Sequence, residues 1–521
     1  MSPSWWNPIT SGSIKLAIAA SALLVAGWAE WARRARNPDL CGQQWRARLL
    51  AVLGLLGFLA YFNFGSFHFG GIYVHLWDSA HYVLGARYFD ELGYDGLYEC
   101  MAVADAQGLG DAPRVSRRLI IDLRTNHLTT AAEAVAHPER CKARFSAQRW
   151  AAFRADVDFF RSEFPDADWE RMFTDHGFNA PPAWLLLAHP LAGKAPLTWT
   201  RLRMLAAIDP VLILGSLIVV VWAFGGWTAS LVAVVFGTYF PGQLWWTGGS
   251  FLRWDWLAAL LIGLALCRRA RPVAGGALLG YAAMLRVFPG FALVGVATAV
   301  VLARLRRRPF DPAAGRVLLG ALAVTVVLGP LSGALRRDHA WLDFAHNLRK
   351  HTSVASGNRM GLATMLAYDA QARRAALHPV QGEDTRTRWE RAQAETLQRR
   401  RWLWVSLAAL GTLAVVTCLR EQPAWVTAVL GLLLVPLGTP LACYYYVFVA
   451  ALALLTEFRG EVGGLLIALA VASGVVARLS HYEMDEQYAA QSLIALIAFA
   501  FVVSAFLSRR TAISTSALGR T

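Results

Sequence analysis

The run ARLLAVLGLLGFLAYFNFGSF (47–67), followed shortly by HLWDSAHYVLGARYFDELGYDGLYEC (75–100), decides how this chain is to be read. The first stretch is apolar and of membrane-spanning length. The second turns polar at its start, placing Asp78 with His75, His81 and Tyr82 where a span would meet water. A long stretch of mixed polar sequence then precedes the next hydrophobic run. A carboxylate at the mouth of a large loop is the point from which the other features are weighed.

With 56% hydrophobic residues among 521 and a mean hydropathy of +0.40, the chain is too apolar for a water-soluble domain. Its net charge of +15 suggests nucleic-acid binding until the basic residues are located. Most sit in short clusters beside apolar runs: Arg33, Arg34, Arg36, Arg46 and Arg48; Arg268, Arg269 and Arg271; Arg304, Arg306, Arg307 and Arg308; Arg509 and Arg510. That is the positive-inside pattern of a polytopic membrane protein. None of these clusters is long or interleaved with aromatics, so no nucleic-acid partner is expected. The run 14–31 has little positive charge before it and arginines after it, which reads as an anchor rather than a cleaved signal.

Apolar runs fall near 14–31, 47–67, 204–224, 228–245, 251–267, 273–287, 289–303, 316–334, 402–419, 424–438, 441–456, 462–477 and 489–507. The expected fold is all-α and polytopic, with roughly 12–14 transmembrane helices by the length a bilayer demands. In that register the arginine clusters share one side and the loops 68–203, 335–401 and 478–488 share the other. Residues 180–193 read as a short crossing, a re-entrant turn or a surface helix. The centre of the first large loop (142–173) alternates charged residues with Phe and Trp at helical spacing, suggesting amphipathic helices on the membrane or on the protein. Cys100 and Cys141 share that loop, where they either pair or stay as thiols. Three regions follow: 1–46, an extra span with a basic loop; 47–401, the module with both outer loops; and 402–521, the C-terminal spans.

Four groups of residues can carry chemistry. Asp78, flanked by Trp77 and followed by His81 and Tyr82, reads as a general base toward a hydroxyl or as an interfacial helix cap. Arg286 breaks the run GGALLGYAAMLRVFPGFALVG with Pro289 three residues on; it reads as a phosphate clamp or as an arginine reaching for lipid headgroups. The tip PGQLWWTGGSFLRWDW (241–256) holds Trp245, Trp246, Trp254 and Trp256, an aromatic belt or a platform for a sugar ring, together with Arg253 and Asp255. His346, Arg349, His351, Asn358 and Arg359 in the second outer loop either meet a ligand from above or are simply solvated. In the tail, His481, Glu483, Asp485 and Glu486 read as ordinary loop charge. No phosphate-binding glycine loop, nucleophile elbow or zinc motif is present.

In layout and short motifs the chain resembles the GT-C superfamily of integral-membrane glycosyltransferases. An aspartate opens a large first outer loop (Asp78), and that loop closes on Pro181-Pro182. A basic residue then proline ends a Gly/Ala-rich helix (Arg286, Pro289), and NRMGL from Asn358 lies in a second long outer loop. The resemblance covers roughly residues 47–365 and is nearest to the polyprenyl-phosphate-mannose-dependent α-mannosyltransferases and their bacterial relatives. Members usually carry lysine where this chain has Arg286, and the 14–31 span is an addition. The resemblance implies transfer of a sugar from a polyprenyl-phosphate donor to a hydroxyl of a glycan or glycolipid acceptor outside the cytoplasm. Asp78 would be the base and Arg286 would hold the lipid phosphate; His81, Tyr82, Arg253, Asp255, His351, Asn358 and Arg359 would line the substrates. No cofactor or metal is demanded, because the leaving group is already an anion. Location in a bacterial inner membrane with the site facing the periplasm would follow. The alternatives are a transporter or flippase of an amphipathic substrate, which should show internal symmetry that is not visible here, and a scaffold whose outer loop binds a partner.

Overall fold

The computed structural model describes residues 7–35, 42–68, 71–336, 339–378, 384–479 and 484–508. Arg36, Cys41, His481, Glu483, Arg509 and Arg510 lie outside them. Among the described residues, 6 helical segments are long and apolar enough to cross a membrane: Pro8–Arg34, Trp199–Thr238, Pro312–Ala334, Arg401–Cys418, Glu461–Leu479 and Met484–Leu507. Shorter apolar helices lie at Pro182–Ala192, Pro272–Leu285, Gly290–Leu305, Ala424–Gly438 and Cys443–Glu457, and the expected runs 47–67 and 251–267 carry helices Gln43–Tyr61 and Asp255–Arg268. The protein is a predominantly α-helical, multi-pass membrane protein. Six segments thus meet the length and apolarity of a crossing by themselves, where roughly 12–14 transmembrane helices were expected. Residues 424–435 and 446–455 are buried throughout, so these two helices lie at the centre of the bundle.

The 40-residue segment Trp199–Thr238 would extend about 60 Å as one straight helix, twice a bilayer core. It turns back at Gly225, whose φ of 81° and ψ of 167° are not helical. Contacts at both ends establish the reversal. Asp209 accepts the backbone N–H of Arg253 at 2.9 Å, while the carbonyl of Trp222 accepts from Arg269, at the far end of helix Asp255–Arg268. The chain then returns to the Arg253 end, where the carbonyl of Trp245 meets His75 at 2.9 Å. The boundary expected between runs 204–224 and 228–245 is therefore a hairpin turn.

One end of the bundle gathers the arginine clusters. Arg268 pairs with Glu457 at 3.7 Å, Arg308 pairs with Glu421, and Asp311 accepts the N–H of Ala424 at 2.9 Å. Arg46, at the start of helix Gln43–Tyr61, lies over the Trp28 ring at 5.6 Å. The opposite end carries residues 71–180, which form a small domain of helices and one hairpin, Leu119–Asp122 with His127–Thr130. Helix Ala147–Glu163 buries Trp150, Phe153, Val157 and Phe160, so the amphipathic stretch packs on the protein. Buried ion pairs Arg87–Asp156 (3.0 Å) and Arg118–Asp105 (2.7 Å) brace the domain. A Cys100–Cys141 disulfide closes it, settling the pairing left open by the sequence.

Helix Pro182–Ala192 is not a crossing. Eleven residues reach about 16 Å; the start of the helix is tied to the 241–256 loop, where Trp184 donates to the Leu252 carbonyl at 2.9 Å, and its far end to the small domain, where Arg87 donates to the carbonyl of Ala195 at 2.8 Å.

Candidate active site

The site begins at the N-terminus of helix Leu76–Arg87. His75 caps it: Nδ1 accepts the N–H of Asp78 at 3.1 Å, and Nε2 donates to the Trp245 carbonyl at 2.9 Å. Both ring nitrogens are thereby assigned, and the tautomer is neutral. Because His75 fills the cap, Asp78 is left in the first turn, where the helix dipole favours its charge. Its side chain meets Arg253, with Oδ2 3.0 Å from Nε. The contact is ionic rather than an aligned hydrogen bond, and both residues are buried, at 8% and 4% exposure.

Helical spacing puts Asp78 and Tyr82 on one face of this helix, with Trp77 and His81 on another. The Arg253 guanidinium lies 3.9 Å over the Tyr82 ring. His81 instead faces the small domain, its Nε2 2.8 Å from the Tyr98 hydroxyl, and Trp77 donates to Asp175 at 2.8 Å. His81 thus braces the helix from behind rather than joining Asp78.

Arg286 sits where helix Pro272–Leu285 ends and the backbone turns extended (φ −149°, ψ 129°). Pro289 prevents the helix from continuing. One Nη donates to the Leu285 carbonyl at 2.6 Å, and the guanidinium lies 5.9 Å from the Tyr445 ring. Asp255 opens the next-door helix, with one oxygen accepting the Trp256 N–H at 2.8 Å and its charge felt by both Arg286 and Arg253. Several polar atoms here are buried with no hydrogen-bond partner: Nη1 of Arg253, Nε and Nη2 of Arg286, and Oδ2 of Asp255, while Nε of Arg253 and Oδ2 of Asp78 have only each other, as an ion pair. Buried guanidinium N–H groups left unpaired are costly, and each needs an explanation. Two such cations close to Tyr82, Tyr444 and Tyr445 offer donors of the kind an anion takes.

Tyr444 and Tyr445, which sequence reasoning passed over, belong to this site. Tyr444 lies 5.8 Å from the Arg253 guanidinium. The signal was the triple tyrosine CYYYV (443–447) at a span boundary. Asp209 was also missed; it holds the Arg253 loop from behind.

The second outer loop reaches the site's edge. Asn358 is a brace: its side chain accepts from Ser356 at 2.8 Å and its carbonyl accepts the Cys443 N–H at 2.7 Å. Arg359 donates to the His351 carbonyl and interacts electrostatically with Tyr444. His351 packs edge-on against His176, with centroids 5.3 Å apart. Burial pushes these two imidazoles down to about 3 and about 4. His346 and Arg349 are solvent-exposed. The tryptophans divide: Trp254 and Trp256 are buried core residues, Trp254 donating to the Tyr61 hydroxyl at 2.9 Å. They form neither a belt nor a platform, because the loop folds inward over Asp209. Only Trp245 is strongly exposed, at 61%.

Comparisons with protein-family models, with curated proteins and with solved structures return no match for this chain.

Proposed function

We propose that this protein is a membrane glycosyltransferase that moves a sugar from a polyprenyl-phosphate donor to an acceptor hydroxyl. The observation that carries the reading is the pair of buried arginines, Arg253 and Arg286, with unpaired N–H groups beside the Asp78 carboxylate. A lipid phosphate would fill those N–H groups with charge-assisted hydrogen bonds, while the prenyl chain lay along the membrane-facing flank. Asp78 would take the proton of the acceptor hydroxyl as its oxygen bonds the anomeric carbon. The bond from that carbon to the phosphate oxygen breaks, and the electron pair leaves on a phosphate already held by cations.

Two independent features support a site outside the cytoplasm. The arginine clusters lie at the opposite end of the bundle, as positive-inside orientation requires. The domain covering the site carries the Cys100–Cys141 disulfide, which favours an oxidising compartment. A bacterial inner membrane with the site facing the periplasm fits both.

The test is transfer in proteoliposomes from a panel of labelled polyprenyl-phosphate sugars to crude cell-envelope acceptor. Transfer by the native chain, lost in a folded Asp78→Asn variant, is the expected result. Equal transfer by the variant would sink the role of Asp78. Label crossing the bilayer with its sugar–phosphate bond intact would indicate a transporter instead.

A further inference from the structure

Asp209 interrupts an apolar run near its start, and a carboxylate at that depth is retained only with partners or a role. It is 1% exposed. Its Oδ1 accepts the backbone N–H of Arg253 at 3.1 Å and of Trp254 at 3.2 Å, and its Oδ2 takes the Arg253 N–H at 2.9 Å. The carboxylate is thus spent on the main chain of Trp254 and of Arg253, the residue that pairs with Asp78 and stacks on Tyr82.

The loop it holds needs such a hold. Leu252, immediately before Arg253, has a φ of 51°, a left-handed conformation unfavourable for a branched residue. Further contacts fix the same loop: Trp184 to the Leu252 carbonyl at 2.9 Å, His75 N–H to the Gly249 carbonyl at 2.9 Å, and His68 to the Gly248 carbonyl at 2.9 Å. Among the described residues, Asp209 alone hydrogen-bonds the backbone N–H of Arg253. A cation that must meet an anion in a buried site loses binding when its Cα is free to shift, because the ordering is then required at the moment of binding.

We propose that Asp209 is a positioning residue for anion binding, setting the backbone of Arg253 so that its guanidinium lies over Tyr82 and faces the phosphate. This rests on the reading of Arg253 as a phosphate ligand. Asp209 does not touch the substrate; it acts through Arg253.

The experiment is a titration of the full-length protein in detergent with farnesyl phosphate, followed by tryptophan fluorescence, with farnesol as the uncharged control. Native protein, Asp209→Asn, Asp209→Ala, Arg253→Ala and the two double variants are compared. Asp209→Asn places an amide N–H against a backbone N–H, and farnesyl phosphate affinity should fall roughly ten-fold with farnesol binding unchanged. In the Arg253→Ala background the same change should alter affinity by no more than about two-fold, since a residue acting through Arg253 has nothing left to act on. Equal losses in both backgrounds would overturn the positioning role. If Asp209→Ala does not yield a monodisperse protein, the asparagine variant carries the test. Should Arg253→Ala bind farnesyl phosphate like the native chain, the phosphate reading itself falls and the positioning role with it. Should Arg253→Ala lose affinity while Asp209→Asn keeps it, only the positioning role falls.

Discussion

Replacing Asp78 by asparagine should abolish transfer yet tighten binding of the donor's phosphate. In the structure Arg253 pairs with Asp78, 3.0 Å away, and on the proposed reading the donor's phosphate would share that arginine with it. At an effective dielectric of about 20, a carboxylate about 5 Å from a phosphate is repelled by roughly 3 kcal/mol. Residual solvation reduces that figure, so a gain of about 1.4 kcal/mol, or about ten-fold in affinity, is the expected net effect. The ligand-free variant should meanwhile be less stable, because a buried guanidinium has lost its counter-charge, a loss of roughly 3–5 kcal/mol in buried pairs elsewhere. Farnesyl phosphate at about one hundred times its Kd should return about 2.7 kcal/mol of that. The assay is fluorescence titration plus thermal unfolding of native and Asp78→Asn proteins, each with farnesyl phosphate and with farnesol. Unchanged or weaker binding of farnesyl phosphate by the variant would refute the claim that Asp78 and the phosphate compete for Arg253.

Other outcomes follow from the same geometry. Arg286→Lys keeps the charge but loses the planar fork, so farnesyl phosphate should bind several-fold more weakly, and Arg286→Ala more weakly still; equal affinities across the three would remove Arg286 from the site. Reducing the Cys100–Cys141 bond, which spans 41 residues, should destabilise the small domain by about 4 kcal/mol in the chain-entropy estimate, seen as faster limited proteolysis of residues 71–180. His176 and His351, held at about 4 and about 3 in the fold against an ordinary 6.5, bind more protons unfolded than folded. Stability should therefore be complete above pH 6.5 and drain away as pH falls toward about 4, and His351→Gln should flatten that slope in thermal unfolding between pH 7 and 4.5.

Much of the layout was legible because its causes are local. Apolar length marks a span, arginine placement groups span ends on one side, and Gly225-Gly226 breaks a run too long to be one helix. Asp78, Arg253, Asp255 and Arg286 were each visible as charges at span boundaries, and boundaries on the same face of a bilayer are brought together by the membrane itself. What escaped was set by non-local packing. That His75, rather than Asp78, caps the helix depends on where the Trp245 carbonyl falls. That His81 turns outward depends on Tyr98. Trp254 and Trp256 look like belt residues until the loop carrying them is drawn inward by a carboxylate from a different run.

These misses share a cause that bears on the chemistry. Sequence shows which residues stand at the water–lipid boundary but not which of them are desolvated, and only desolvation distinguishes a surface arginine from a binding one. Arg253 and Arg269 both flank apolar helices. Arg269 donates to a backbone carbonyl at an exposed position, and removing it should change little beyond orientation. Arg253 is sealed beneath Tyr82 and Tyr444, with its backbone clamped by Asp209. On the proposed reading, a cation held so rigidly, with a buried N–H group lacking a hydrogen-bond partner and Asp78 only ionically engaged, would take a second anion. It follows that adding a competing carboxylate nearby, as in Tyr444→Glu, should block farnesyl phosphate binding while leaving farnesol binding intact. Retention of phosphate affinity in that variant would mean that the free N–H groups point elsewhere.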